Sequence, residues 1–126
     1  MKRLLVVFAL LLAFAVGTQT PIRVTHAEFI RQAAITTGTA RSLFATLQSV
    51  AYQGPPGLDA ATVCNVDTNT VALYIGSESG VSAASGLKLQ PGACFSWQAG
   101  AKVIDSQQIF IFTATQENAE ISVRAR

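Results

Sequence analysis

Val63-Cys64-Asn65-Val66-Asp67-Thr68-Asn69-Thr70-Val71-Ala72-Leu73-Tyr74-Ile75-Gly76 is the stretch that decides the fold. Val71, Leu73 and Ile75 alternate with Ala72 and Tyr74, the period of a strand and not of a helix. Thr62–Val66 reads as the strand before it. The two runs are separated by Asp67-Thr68-Asn69, residues whose short polar side chains favour tight turns, so together they predict a hairpin. Gly76-Ser77-Glu78-Ser79-Gly80 ends the second run.

The same period continues downstream. Residues 81–89 are rich in Ser, Ala and Gly and read as a long irregular connection. Pro91-Gly92 turns the chain, and Ala93-Cys94-Phe95-Ser96-Trp97 follows as a third strand with Ala93, Phe95 and Trp97 on one face. Gln108–Thr113 is apolar on both faces, which predicts a central strand buried on both sides. After a turn at Gln116-Glu117-Asn118, Ile121 and Val123 alternate with Ser122 and Arg124 in a last, half-exposed strand. Packing is expected at Val63, Val71, Leu73, Ile75, Phe95, Trp97, Ile109, Ile111 and Val123.

Upstream the signal changes. Leu43, Leu47 and Val50 fall at i, i+4 and i+7, one face of a short helix near 40–50, with Thr39 as its candidate cap. Gly54-Pro55-Pro56-Gly57 stops it. The organisation is therefore an apolar segment at 1–27, a connecting segment with a short helix at 28–57, and a β-domain at 58–126. The fold class is mainly β: a small antiparallel β-sandwich or barrel-like domain, preceded by an N-terminal apolar helix.

The N-terminal segment opens Met1-Lys2-Arg3 and runs from Leu4 to Val16 without a polar residue. A basic start before a short apolar run is the pattern of a secretory signal peptide. Ala13-Phe14-Ala15 and Thr25-His26-Ala27 each offer a cleavage site. An uncleaved anchor and a buried core helix are the competing readings. A retained segment would contact a membrane through residues 4–17.

Composition narrows the function. At 126 residues the chain fits one domain, and its charged fraction of 13% is about half the usual value. The net charge of +2 comes from the leader: residues 1–27 carry three bases and no acid, whereas 28–126 carry six bases and seven acids. A nucleic-acid partner needs clustered Lys and Arg to displace counterions, and the body has no such cluster.

Catalytic chemistry finds little material. His26 is the only histidine, and cleavage after Ala27 would remove it, and with it any His-based triad or metal site. Asp59, Asp67, Asp105, Glu78, Glu117 and Glu120 sit in no recognisable motif and read as solvated turn residues. No catalytic residue, cofactor or metal ligand is expected. Two cysteines cannot make a four-ligand zinc site. In an exported chain Cys64 and Cys94 suggest a disulfide; two buried free thiols are the alternative.

From Ser42 onward the chain resembles a group of small β-rich virion proteins of bacteriophages. Ser42–Leu47 is similar to a short helical lead-in, and Val63–Gly76 to a hairpin in which Asn precedes a small polar turn. Gly80–Gly92 is similar to a Gly-Val-Ser connector ending in Pro-Gly. Ile109–Thr113 and the Val-Arg strand at Ile121–Arg126 complete the resemblance, which spans about two thirds of the chain. It implies a non-enzymatic head, decoration or fibre component, located in the virion, whose partners are other virion proteins and copies of itself. The apolar leader and the cysteine pair depart from that pattern. Both suit a virion protein that meets a membrane, or an exported bacterial protein with the same sandwich.

Phe110 and Phe112 face away from Ile109 and Ile111 and are the candidate interface, with a second core layer as the alternative. A rival class is an exported binding module for a cell-surface or carbohydrate ligand, in which Tyr52, Tyr74 or Trp97 would stack on sugar.

Overall fold

The computed structural model describes residues 28–35 and 37–125. The readings placed on residues 1–27, including the apolar helix, the cleavage sites and His26, lie outside the described residues. In chain order the elements are β1 (Phe29–Ile35), β2 (Arg41–Ser42), helix α1 (Leu43–Ser49), β3 (Gly57–Asn65), β4 (Leu73–Gly76), β5 (Leu87–Leu89), β6 (Cys94–Gln98), β7 (Ile104–Asp105), β8 (Phe110–Thr113) and β9 (Glu117–Ala125).

They form two antiparallel sheets. One has the order β1-β9-β3-β6, with β7 also paired to β3; the other has the order β2-β8-β4-β5. The core lies between them. Ala33 and Ile35 of β1, Ala61 and Val63 of β3, and Ala119, Ile121 and Val123 of β9 point inward from the first sheet. Leu73 and Ile75 of β4 and Ile111 of β8 meet them from the second. Each fully buried Leu, Ile or Val contributes about 1.5–3 kcal/mol relative to exposure. The alternation is clearest in β9, where positions 117, 119, 121 and 123 are buried and 118, 120 and 124 exposed. In β3 both Leu58 and Ala61 are buried although they differ by an odd number. A register shift against β9 between Leu58 and Ala60 reconciles them, because an extra residue flips the side-chain parity.

Helix α1 arises from the expected face. Leu43 and Leu47 are buried and Val50 packs against the core. Its cap is Ser42 and not Thr39: Ser42 Oγ accepts from the Ala45 N–H at 3.1 Å. Ser42 also ends β2, so one residue closes a strand and opens a helix.

Other expectations are corrected. Residues 29–35, read as part of a connecting segment, are strand β1, paired along its length with β9. Residues 87–89, read as irregular, are strand β5, paired with β4. The strand expected from Thr62 begins at Gly57, and the last strand begins at Glu117, inside the expected turn. The largest difference concerns Asp67-Thr68-Asn69. The strands on either side of it do not pair; β3 and β4 lie in different sheets, so this turn is a crossover. Strand β8 is central as expected, between β2 and β4, but only Ile111 and Thr113 are buried. Phe110 and Phe112 are half-buried on its outer face.

Candidate functional site

The two sides of the sandwich are finished differently. On one side lie the edge strands β1 and β2, and the connector between them bridges to β8 through Thr37 and Thr113. On the other lie the edge strands β5 and β6, joined by the short turn at residues 90–93. Gly92 makes that turn with φ +83°, a conformation that disfavours any side chain.

Between β5 and β6 the sandwich is open. A cleft of about 190 Å³ is lined by Ile75, Gly76, Ser77, Leu87, Phe95, Trp97 and Ile109. Phe95 and Trp97 pair with Val63 and Ala61 of β3, so both project from the core-facing side of their sheet. Alternation predicted that orientation correctly. Burial is another matter: Phe95 is 37% exposed, Leu87 is 49% exposed and Trp97 is half-buried. The inward aromatics of β6 line the mouth of the cleft. Their rings meet edge to face with centroids 4.7 Å apart. Val103, 43% exposed, packs beside Gly57 at the start of β3.

The outer face of the β3–β6 pair is polar and cross-linked. Cys64 and Cys94 form a disulfide between directly opposed residues, with Cα atoms 4.0 Å apart. Thr62 and Ser96 share a hydroxyl hydrogen bond of 2.8 Å one pair further on.

A polar network holds the crossover that feeds the open side. Asn65, buried, donates from Nδ2 to the Val71 and Leu89 carbonyls at 3.0 and 2.9 Å. Its Oδ1 accepts from Asn69 Nδ2, and Asn69 also engages the backbone of Asn118. One side chain thereby ties β3 to β5 and to the crossover that leads into β4. Glu117 accepts from the Thr70 hydroxyl and N–H and from the Thr115 hydroxyl. These bonds, the Thr70 hydroxyl foremost, hold its carboxyl below the ordinary range.

Gly76 and Gly86 matter for packing, not for turn geometry. A Cβ on either would approach Val81 Cγ2 to 2.7 Å. The connector thus folds over Val81 and delivers β5 to the edge of its sheet.

The sequence-predicted site residues separate. Phe110 and Phe112 lie on the outer face of the second sheet, with Phe112 beside Tyr74 at 6.2 Å between centroids. They do not line the cleft. Tyr52 is buried, edge to face with Phe29, and its hydroxyl donates to the Pro55 carbonyl at 3.1 Å. Of the three aromatics named for sugar stacking, only Trp97 reaches the cleft. The cleft itself was not foreseen; the adjacent apolar Phe95 and Trp97 in an uncharged strand were its one visible sign. Among the described residues no group of three His, Cys, Asp or Glu side chains gathers as metal ligands would, and no helix is long and apolar enough to cross a membrane.

Compared with known proteins, the chain matches no family model, no curated protein and no solved structure.

Proposed function

We infer that this protein is a non-enzymatic assembly module, a structural component of a bacteriophage virion that joins its neighbours through sandwich surfaces. The observation that carries the reading is the apolar cleft between two unpaired strand edges. A folded domain normally covers such a seam or charges it, because open edges recruit other strands. Here exposed Leu87 and Phe95 stand beside an edge that carries no charged residue. The resemblance of Val63–Gly76 and Gly80–Gly92 to phage virion proteins supports the same reading and gives it a setting.

The test is peptide mass spectrometry on density-purified virus particles from the source. The protein is expected to band with particles in a fixed ratio to the major structural protein. Its absence from particles, with peptides found only in the exported fraction, would overturn the virion setting.

The carbohydrate reading draws on Trp97 at the cleft mouth. Sugar sites add polar groups that bond hydroxyls, and among the cleft's lining residues only Ser77 and the Trp97 ring N–H offer them from side chains. Retention on a polysaccharide column by the folded protein, lost in Trp97→Ala, would favour that alternative.

A further inference from the structure

Resting on the assembly reading, the geometry points to a specific partner for β6: the β6 strand of a second copy, paired antiparallel about a two-fold axis at Ser96.

The backbone comes first. The Asn65 N–H donates to the Ala93 carbonyl, and the Ala99 N–H donates to the Asp59 carbonyl. In an antiparallel ladder bonding and non-bonding pairs alternate. Ala93, Phe95, Trp97 and Ala99 therefore turn their backbone groups toward β3. Cys94, Ser96 and Gln98 turn theirs outward, along the edge where the sheet ends. Three consecutive outward sites present a ready ladder.

Charge singles out this edge. The edge strands at the far ends of both sheets each carry a base, Arg31 on β1, Arg41 on β2 and Lys88 on β5, and β7, which continues the β6 edge along β3, carries Asp105. Such residues protect an edge from pairing. Strand β6, Cys94-Phe95-Ser96-Trp97-Gln98, carries none.

The sequence of β6 is close to symmetric about its centre, which suits an isologous contact. With Ser96 on the axis, Ser96 faces itself, Phe95 faces Trp97 of the mate, and Cys94 faces Gln98. Each copy then caps the other's cleft mouth, covering Phe95 with an aromatic ring. The charges flanking the strand choose the direction. Asp67 lies against Gly92, just before β6, and Lys102 follows just after it. An antiparallel mate brings Lys102 of each copy toward Asp67 of the other; a parallel mate would set like charges together.

Sedimentation velocity on the purified full chain, over a concentration series, tests this. A reversible monomer–dimer equilibrium is expected. Ser96→Pro removes an N–H that β3 does not use, so the fold, followed by circular dichroism, should persist while dimerisation weakens at least tenfold. Ser96→Ala should dimerise like the parent. Lys102→Glu should weaken the dimer, and Asp67→Lys in the same chain should restore it; this pair keeps the test decisive if the proline variant unfolds. A monomer at all concentrations, a folded Ser96→Pro that dimerises like the parent, or failure of the charge swap to restore association would overturn the pairing. Particle banding separates the two ideas: a particle-bound protein without β6 dimers defeats the inference alone, and a β6 dimer absent from particles defeats the virion setting alone.

Discussion

The β1/β2 side and the β5/β6 side of this sandwich face the same physical problem and meet it in opposite ways. Two sheets packed face to face leave a seam at each side where the core reaches solvent. On the β1/β2 side the seam is filled by helix α1. Leu43 and Leu47 enter the core with no exposed surface, and Tyr52 closes over Phe29 just beyond the helix. On the β5/β6 side no helix lies among the described residues, and Leu87 and Phe95 stay 49% and 37% exposed. The difference is one of chain length as much as chemistry. Fourteen residues separate β2 from β3 and include the helix, whereas the turn between β5 and β6 has room only to change sheets. A seam that the described residues leave uncovered is a candidate for contact with another chain.

The sharpest way to break this comparison is to empty the closed seam. Leu47→Ala removes a fully buried side chain from a packed site, and a loss of about 4 kcal/mol is expected in urea unfolding. A loss below about 1 kcal/mol would show that α1 is an ornament and that the two seams are alike. Next in size is the disulfide. Cys64 and Cys94, thirty positions apart, hold the open-edge strand to β3 where, among the described residues, no further strand supports it. The double replacement Cys64→Ser, Cys94→Ser is expected to cost about 3 kcal/mol through the freed loop of the unfolded chain. Hydrogen exchange should show the loss first in β6, with β1 and β9 still protected. Uniform loss across the sheet would mean that the open edge does not depend on its cross-link.

What was legible in the sequence divides along the same line. Strands β4, β8 and β9 could be read because Leu73/Ile75, Ile111 and Ile121/Val123 alternate against polar or outward neighbours. The helix could be read because Leu43 and Leu47 share a face. Strand β1 was missed because only Ala33 and Ile35 are buried in it, and Arg31 and Gln32 hide the period. Strand β5 has three residues, too few to show any period. The turn at Asp67–Asn69 misled for a different reason. Turn chemistry specifies that the chain reverses, not whether the next strand pairs or crosses to the other sheet. That choice rests on Asn65 reaching Leu89, twenty-four positions away, which no local pattern reveals. The cleft escaped for a related reason. Alternation gives the face of Phe95 and Trp97, but their exposure depends on what the opposing sheet sets against them across the cleft.

A smaller effect sharpens the open side. Phe95→Ala removes a ring that is already more than a third exposed, so its loss is expected to cost only about 1 kcal/mol in the monomer. Its consequence should appear instead in association, as a weaker dimer in sedimentation. A cost near that of Leu47→Ala would place Phe95 in the core and remove the contrast between the seams.

The smallest effect isolates a group that belongs to neither seam. Both seams are apolar at their centres, so acid cannot act on them directly. Glu117 titrates, and its carboxyl sits below the ordinary range because Thr70 and Thr115 donate to its charged form. A group depressed in the folded state stabilises fully above its unfolded pKa, and the contribution fades as pH falls through the folded value. Stability should therefore decline on acidification between the ordinary carboxylate pKa and the lower folded one. Glu117→Gln should flatten that limb in thermal melts while leaving the neutral-pH cost of Leu47→Ala unchanged, since Glu117 is bonded by Thr70 and Thr115 and not by the helix. An acid limb as steep in Glu117→Gln as in the parent would assign the decline to another carboxylate. A Leu47→Ala cost that changed in the Glu117→Gln background would show that the crossover network and the closed seam are coupled, and that the two sides of the sandwich are not independent.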